Sequence, residues 1–146
     1  MLKKKQYHQL SASISGIYRH SKIDFNRQTM EESVRGTQND LIMYLSDHPG
    51  LSQRQIAKDL CIDPSLLARD LKILTDSGYV TRQQNEADRR VNVINLSETG
   101  VKLAKTRIAA INKWWSDLFA QNPGIDPDAF HKELRAVYNK LLAGDR

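Results

Sequence analysis

A mainly α-helical fold carrying one small β-hairpin is predicted by three features of residues 51–100. Ser52 stands three residues before Gln55 and ahead of Ile56, Ala57 and Leu60, the pattern of a capping box opening a short helix. Asp63-Pro64 then restarts the chain as an N-cap followed by a proline at the first helical position, where the missing N–H costs nothing. Leu67, Leu71 and Leu74 give that second helix an apolar face, and Gly78 supplies the left-handed residue that ends it. The third feature is a pair of β-prone runs, Tyr79 to Gln84 and Val91 to Leu96, joined by the turn-forming Asn85-Glu86-Ala87-Asp88. Two short helices across a tight corner, followed by a charged hairpin, are the layout of a winged helix-turn-helix.

In chain order, a first helix is expected from Lys3 to about Asp24, with Tyr7, Leu10, Ile14 and Ile17 on one stripe. An irregular stretch with Phe25, Met30 and Val34 leads to a helix from about Thr37, ended by His48-Pro49-Gly50. Its Leu41, Ile42, Tyr44 and Leu45 are expected to pack under the two short helices, and residues near Leu51 to add a third strand. Cys61-Ile62 forms the corner. Beyond the hairpin, Ser97 to Gln121 reads as one long helix, because Val101, Ala104, Ile108, Ile111, Trp115 and Leu118 keep a 3,4,3,4,3 spacing. Leu103, Trp114 and Phe119 widen that stripe. Asn122-Pro123-Gly124 breaks it, and a last helix from about Pro127 to Ala143 aligns Phe130, Leu134, Val137 and Leu141. The expected division is a DNA-reading unit over residues 37–98 and a helical dimerisation region over residues 1–36 and 99–146. Apolar surface on the terminal helices exceeds what a compact unit with its own core absorbs. A second copy is the simplest partner, and a two-fold dimer sets its two reading helices about 34–36 Å apart, on successive major grooves of a palindromic duplex. The competing arrangement folds the terminal helices back on one chain.

The outward face of the second short helix carries Ser65, Leu66, Ala68, Arg69 and Lys72, the short polar, small and cationic side chains with which a recognition helix meets a major groove. Arg69 suits a bidentate contact to guanine, Ser65 and Lys72 suit phosphates, and Leu66 and Ala68 suit thymine methyls. Gln53 and Arg54 at the start of the preceding helix join this candidate set. The same face reads equally as the solvated side of an amphipathic helix. The hairpin shifts that balance, because Arg89 and Arg90 at its tip match the enhanced negative potential of a narrow minor groove, with Asp88 placed to aim Arg90.

Composition fits this reading without compelling it. The chain has 146 residues, 40% hydrophobic and 27% charged, with a net charge of +5 that suits a polyanionic partner. No apolar run approaches the roughly 18 residues of a membrane span, and the basic start leads into polar sequence, so a cytoplasmic protein with no membrane partner is expected. The single Cys61 excludes an internal disulfide. Its neighbours Asp59 and Asp63 discourage a thiolate, so a buried or half-buried structural cysteine is expected over a redox sensor. His8, His20, His48 and His131 lack metal-ligand spacing, so neither metal nor cofactor is expected. No Gly-rich nucleotide loop, paired carboxylates or room for a catalytic domain supports an enzyme. The two rival readings are a small enzyme that uses the winged helix to dimerise and a winged-helix protein-interaction module.

The segment from Asp88 to Gly100 resembles the wing signature of the MarR family of bacterial transcriptional regulators: Asp-x-Arg, five residues, Leu-Ser, two residues, Gly. The order and spacing of the helices agree along essentially the whole chain. The resemblance implies that Arg90 is the minor-groove arginine, Asp88 its orienting partner and Pro64 to Ser77 the recognition helix. It also implies a homodimer with first, fifth and sixth helices interlocked, repression as the default action, and release by small phenolic or aromatic ligands. Tyr18, His20, Tyr44 and Trp114 are the candidate lining of such a ligand crevice. Leu66 and Ala68 stand where the family often has threonines, and Cys61 where it often has glycine, which bears on the bases read.

Overall fold

A computed structural model describes residues 3–28, 34 and 36–144. After a 3-10 turn at Lys4–Gln6, the helices are α1 (His8–Gln28), α2 (Thr37–Asp47), α3 (Gln53–Leu60), α4 (Pro64–Asp76), α5 (Glu98–Ala120) and α6 (Pro127–Leu142). Strands β1 (Leu51–Ser52), β2 (Val80–Gln84) and β3 (Asn92–Leu96) form one antiparallel sheet in the order β1-β3-β2. Leu51 faces Ile94 across the β1–β3 pair, and Val80 to Gln84 run against Leu96 to Asn92 in unbroken register. The expected third strand and hairpin are therefore present, with Val91 just outside β3, its N–H donating to Asp88 O at 3.0 Å.

Local chemistry explains most boundaries. Asp63 caps α4 by accepting from the N–H groups of Ser65 and Leu66 at 2.9 and 3.2 Å. At the other end Gly78 adopts φ +81°, the Gly78 N–H reaches Thr75 O, and the Tyr79 N–H reaches Leu74 O, the paired bonds of a Schellman motif. Ser97 caps α5 by accepting from the Gly100 N–H at 3.0 Å, and its hydroxyl donates to Gly78 O at 2.5 Å, fastening the start of α5 to the end of α4. Gly100 is obligatory there: a Cβ on it would lie 2.0 Å from the Tyr79 carbonyl oxygen.

Leu67, Leu71 and Leu74 of α4 are fully buried against Leu41, Ile42 and Leu45 of α2, Ile56 of α3, Ile94 of β3 and Ala104 of α5. Helix α4 thus stands on a platform made by α2, α3, β3 and α5. Tyr44 packs only at the margin of this core.

Four expectations are corrected. The first helix begins at His8 and continues to Gln28, a turn past Asp24, because Phe25 is buried and Asp24 accepts from Trp114 Nε1 at 2.9 Å; Met30 lies outside the described residues. The capping box of α3 is half made: Ser52 Oγ accepts from the Gln55 N–H at 3.1 Å, but the Gln55 side chain turns forward to Asp59 at 2.8 Å. Cys61 is exposed, since the corner holds it in the left-handed region at φ +50° and the apolar burial falls to its neighbours Leu60 and Ile62. Val101 is exposed, whereas Arg107 of the same helix is buried, with its guanidinium 5.3 Å from the Phe25 ring centre.

The terminal helices leave apolar surface uncovered. Tyr7 just before α1 and Leu10 and Ile14 on it are half exposed or more, α6 buries none of its residues, and Val137 is 65% exposed. The first turn of α6 meets the chain through Phe130 against the rings of Trp115 and Phe119. Among the described residues no helix is long and apolar enough to cross a membrane.

Candidate nucleic-acid interface

Burial of Leu67, Leu71 and Leu74 turns the other side of α4 to solvent. Ser65, Ala68, Arg69 and Lys72 are exposed and Leu66 half-buried. Arg69 therefore carries its charge at the middle of an outward face. Lys72 pairs with Asp76 at 2.7 Å on the exposed surface, a contact weak enough to yield to a phosphate. On α3, Arg54 is exposed and Gln53 half-buried; both line a shallow hollow of about 530 Å³ with Lys58, Ile62, Pro64 and Leu67. Two cations thus border the groove between α3 and α4.

The hairpin tip is built around one carboxylate. Asn85 Oδ1 accepts from the Ala87 N–H at 2.8 Å and starts the turn. Asp88 Oδ1 then accepts from both the backbone N–H and the Nε of Arg90, at 3.0 and 3.1 Å, while Oδ2 accepts from Nη2 at 3.3 Å. This fork fixes the direction of a guanidinium that is 90% exposed. The pair holds the Asp88 carboxyl below its ordinary pKa, through the Arg90 side chain first and the Arg90 N–H second. In water such a pair adds little stability, so its consequence is orientation. Arg89 beside it is exposed.

The four crevice candidates fall on three surfaces. Tyr18 lines a cavity of about 290 Å³ between α1, α2, α5 and α6, and its hydroxyl donates to Asp40 at 2.5 Å. Lys22 forms an ion pair with the same carboxylate. Burial first, and then Asp40, push the Tyr18 phenol well above its usual pKa. His20 and Trp114 line a separate hollow between α1 and α5. Tyr44 lines neither: it stacks on His48 at 4.2 Å and donates to Asp59 at 2.8 Å, and its phenol is likewise raised by burial and by that carboxylate.

Sequence reasoning missed two acidic residues. Asp40 joins Tyr18 and Lys22 of α1 to α2. Asp70, buried on α4, accepts from Thr37 Oγ1 at 2.7 Å and from Gln38 Nε2 at 3.4 Å. The signal for Asp70 was present: it lies three residues after Leu67 and four before Leu74, inside the apolar stripe, where a carboxylate demands a partner. Among the described residues no cluster of three His, Cys, Asp or Glu is arranged to hold a metal ion.

Comparison with known proteins gives a consistent set of likenesses. Residues 36–91 match the model of the MarR family. A curated relative, the HTH-type transcriptional regulator BilQ of Clostridium symbiosum, is 27% identical over 73 residues, covering 50% of this chain and 51% of the relative. The matched part therefore spans about half of that protein's length. The crystal structure of a MarR transcriptional regulator from Methanosarcina mazei Go1 superposes with a TM-score of 0.81 at 27% identity, covering 92% of this chain and 97% of the other. The S. aureus MepR–DNA complex superposes with a TM-score of 0.72 at 21% identity, covering 91% and 96%, a likeness of fold.

Proposed function

We propose that this chain, whose residues 36–91 match the MarR family model, is a DNA-binding transcriptional regulator of that family, cytoplasmic and not an enzyme, that acts as a homodimeric repressor on a palindromic operator. The observation that carries the proposal is the Asp88 fork holding Arg90 outward at the hairpin tip beyond an α4 face that exposes Arg69. Residues 37–98 read DNA: α4 enters the major groove through Ser65, Leu66, Ala68 and Arg69, and Arg90, flanked by Arg89, enters the adjacent minor groove. Gln53, Arg54 and Lys72 meet phosphates and fix register. That the similarly folded MepR was crystallised with DNA supports this assignment.

Residues 1–36 and 99–146 pair two chains. The uncovered apolar side chains of α1 and α6 support this, because isolated apolar patches of that extent are rare on monomers. Pairing sets the spacing of the two α4 helices and hence the half-site separation. A small aromatic or phenolic compound, with Tyr18 at the wall of its cavity, releases the repressor by binding better to a DNA-incompetent spacing; equal affinity for both spacings would shift nothing. His20, Trp114 and Tyr44 stand outside that cavity and respond to a ligand only through the helices that carry them.

The test is the charge-reversing pair Arg69→Glu with Arg90→Glu, measured for duplex binding, mass in solution and thermal unfolding. Loss of DNA binding with dimer and fold intact supports the proposal. Binding equal to the unmodified chain refutes the assigned surface.

A further inference from the structure

The first turn of α2 holds two carboxylate junctions. Asp40 on that turn accepts from Tyr18 and pairs with Lys22, both on α1. Three residues earlier, Thr37 donates across to Asp70 on α4 at 2.7 Å, joined by Gln38 at 3.4 Å. The N-cap of α2, Gly36, has no side chain to cap this turn, whose positive end favours a carboxylate nearby. Asp70 is bound to this turn through the side chains of Thr37 and Gln38. It is buried among leucines that have no use for it, where an ionised carboxylate persists only if it is hydrogen-bonded.

Apolar packing of Leu67, Leu71 and Leu74 holds α4 in the unit, but contacts between aliphatic side chains are non-directional and tolerate small rotations of a helix about its axis. A hydroxyl donating to a carboxylate is directional. The Asp70 carboxylate departs from the same turn of α4 that presents Arg69 to solvent, so the rotation it fixes is the one that aims Arg69.

We propose that Asp70 is a positioning residue for DNA reading: through Thr37 it sets the rotation of α4 on the first turn of α2, the turn that Asp40 ties to α1. The inference rests on the DNA-reading role given above. Arg69 and Asp70 then act as neighbours of opposite duty, one facing the groove and the other facing the frame.

The experiment uses the full chain and the duplex that the unmodified protein selects from random double-stranded DNA. Thr37→Val removes the donor at nearly constant shape, and Thr37→Ser keeps it. Thr37→Val is expected to weaken binding to the selected duplex about tenfold while leaving an unrelated duplex of equal length within about twofold. Thr37→Ser is expected to restore the selected duplex to within about twofold. A merely structural hydrogen bond would lower the unfolding temperature and leave this ratio unmoved; that result overturns the proposal, as does a serine variant that behaves like valine. If Thr37→Val fails to fold, Asp70→Asn measured in the same way decides, since the neutral amide is expected to reduce the same ratio. Failure of the unmodified chain to select any duplex overturns the DNA-reading role itself, and this inference with it.

Discussion

Replacing Gly100 by alanine tests the joint between the reading unit and the long helix α5. The added methyl would lie 2.0 Å from Tyr79 O, 3.0 Å from Tyr79 C and 3.3 Å from Leu96 Cβ. An ordinary carbon–oxygen contact needs more than an ångström of retreat beyond the first of these, and the oxygen belongs to backbone that cannot swing aside alone. Tyr79 O accepts from the Ser97 N–H at 3.0 Å, and Ser97 is the cap of α5. Overpacking of this kind costs about 1–3 kcal/mol, and loosening the Ser97 bond adds about 1 kcal/mol. At about 2–4 °C per kcal/mol for a chain of this size, the unfolding midpoint is expected to fall by roughly 5–15 °C. Circular dichroism on heating reads it. A midpoint within about 2 °C of the unmodified chain would refute the claim that close approach of α5 to Tyr79, and not helix propensity, requires glycine here.

Three further outcomes follow from other parts of the molecule. Cys61→Gly relieves a left-handed residue at φ +50°, worth about 1–2 kcal/mol, against about 0.4–1 kcal/mol of added freedom in the unfolded chain, so thermal scans are expected to show a gain of roughly 1–4 °C. The Asp88 carboxyl titrates below its unfolded value because Arg90 donates to it; the contribution of the pair is therefore complete above the ordinary carboxylate pKa and lost as pH falls through the depressed one. The Arg90 Nε–H resonance should accordingly stay constant from neutrality down to about pH 4 and move only below it, with Asp88→Asn abolishing the transition. Val137→Glu with Leu141→Glu places charge on the uncovered face of α6, and light scattering is expected to show the mass fall from two chains to one while the core of residues 37–98 stays folded.

The parts of the fold that were legible in the sequence are those decided by neighbours in the chain. Asp63-Pro64 starts α4 and Gly78 ends it because capping needs only groups within a turn. The start of α5 near Ser97 and the hairpin strands were readable for the same reason. The end of α1 was not, because Phe25 and Asp24 are held by α5, some ninety residues away. Gln55 carries the right residue type for a capping box, yet its amide donates to Asp59 on the next turn in place of accepting from the Ser52 N–H. Cys61 looked like a small buried apolar residue by type, whereas its exposure follows from the corner's left-handed backbone. At the candidate interface, Asp88, Arg90 and the outward face of α4 could be named because hairpin turn and helix period are local. Tyr18, His20, Tyr44 and Trp114 share a residue class but fall on three surfaces, His20 and Trp114 sharing one, and only tertiary placement distinguishes them.

Selection of bound fragments from random double-stranded DNA, followed by titration of the winning duplex at several salt concentrations, tests the central claim most directly. A palindrome with half-sites about ten base pairs apart is expected, bound by two chains, with affinity falling log-linearly in salt by a slope of about −0.9 per phosphate neutralised. Absence of any enriched sequence, or equal affinity for all duplexes, would contradict a dimeric reader built on Arg69 and Arg90.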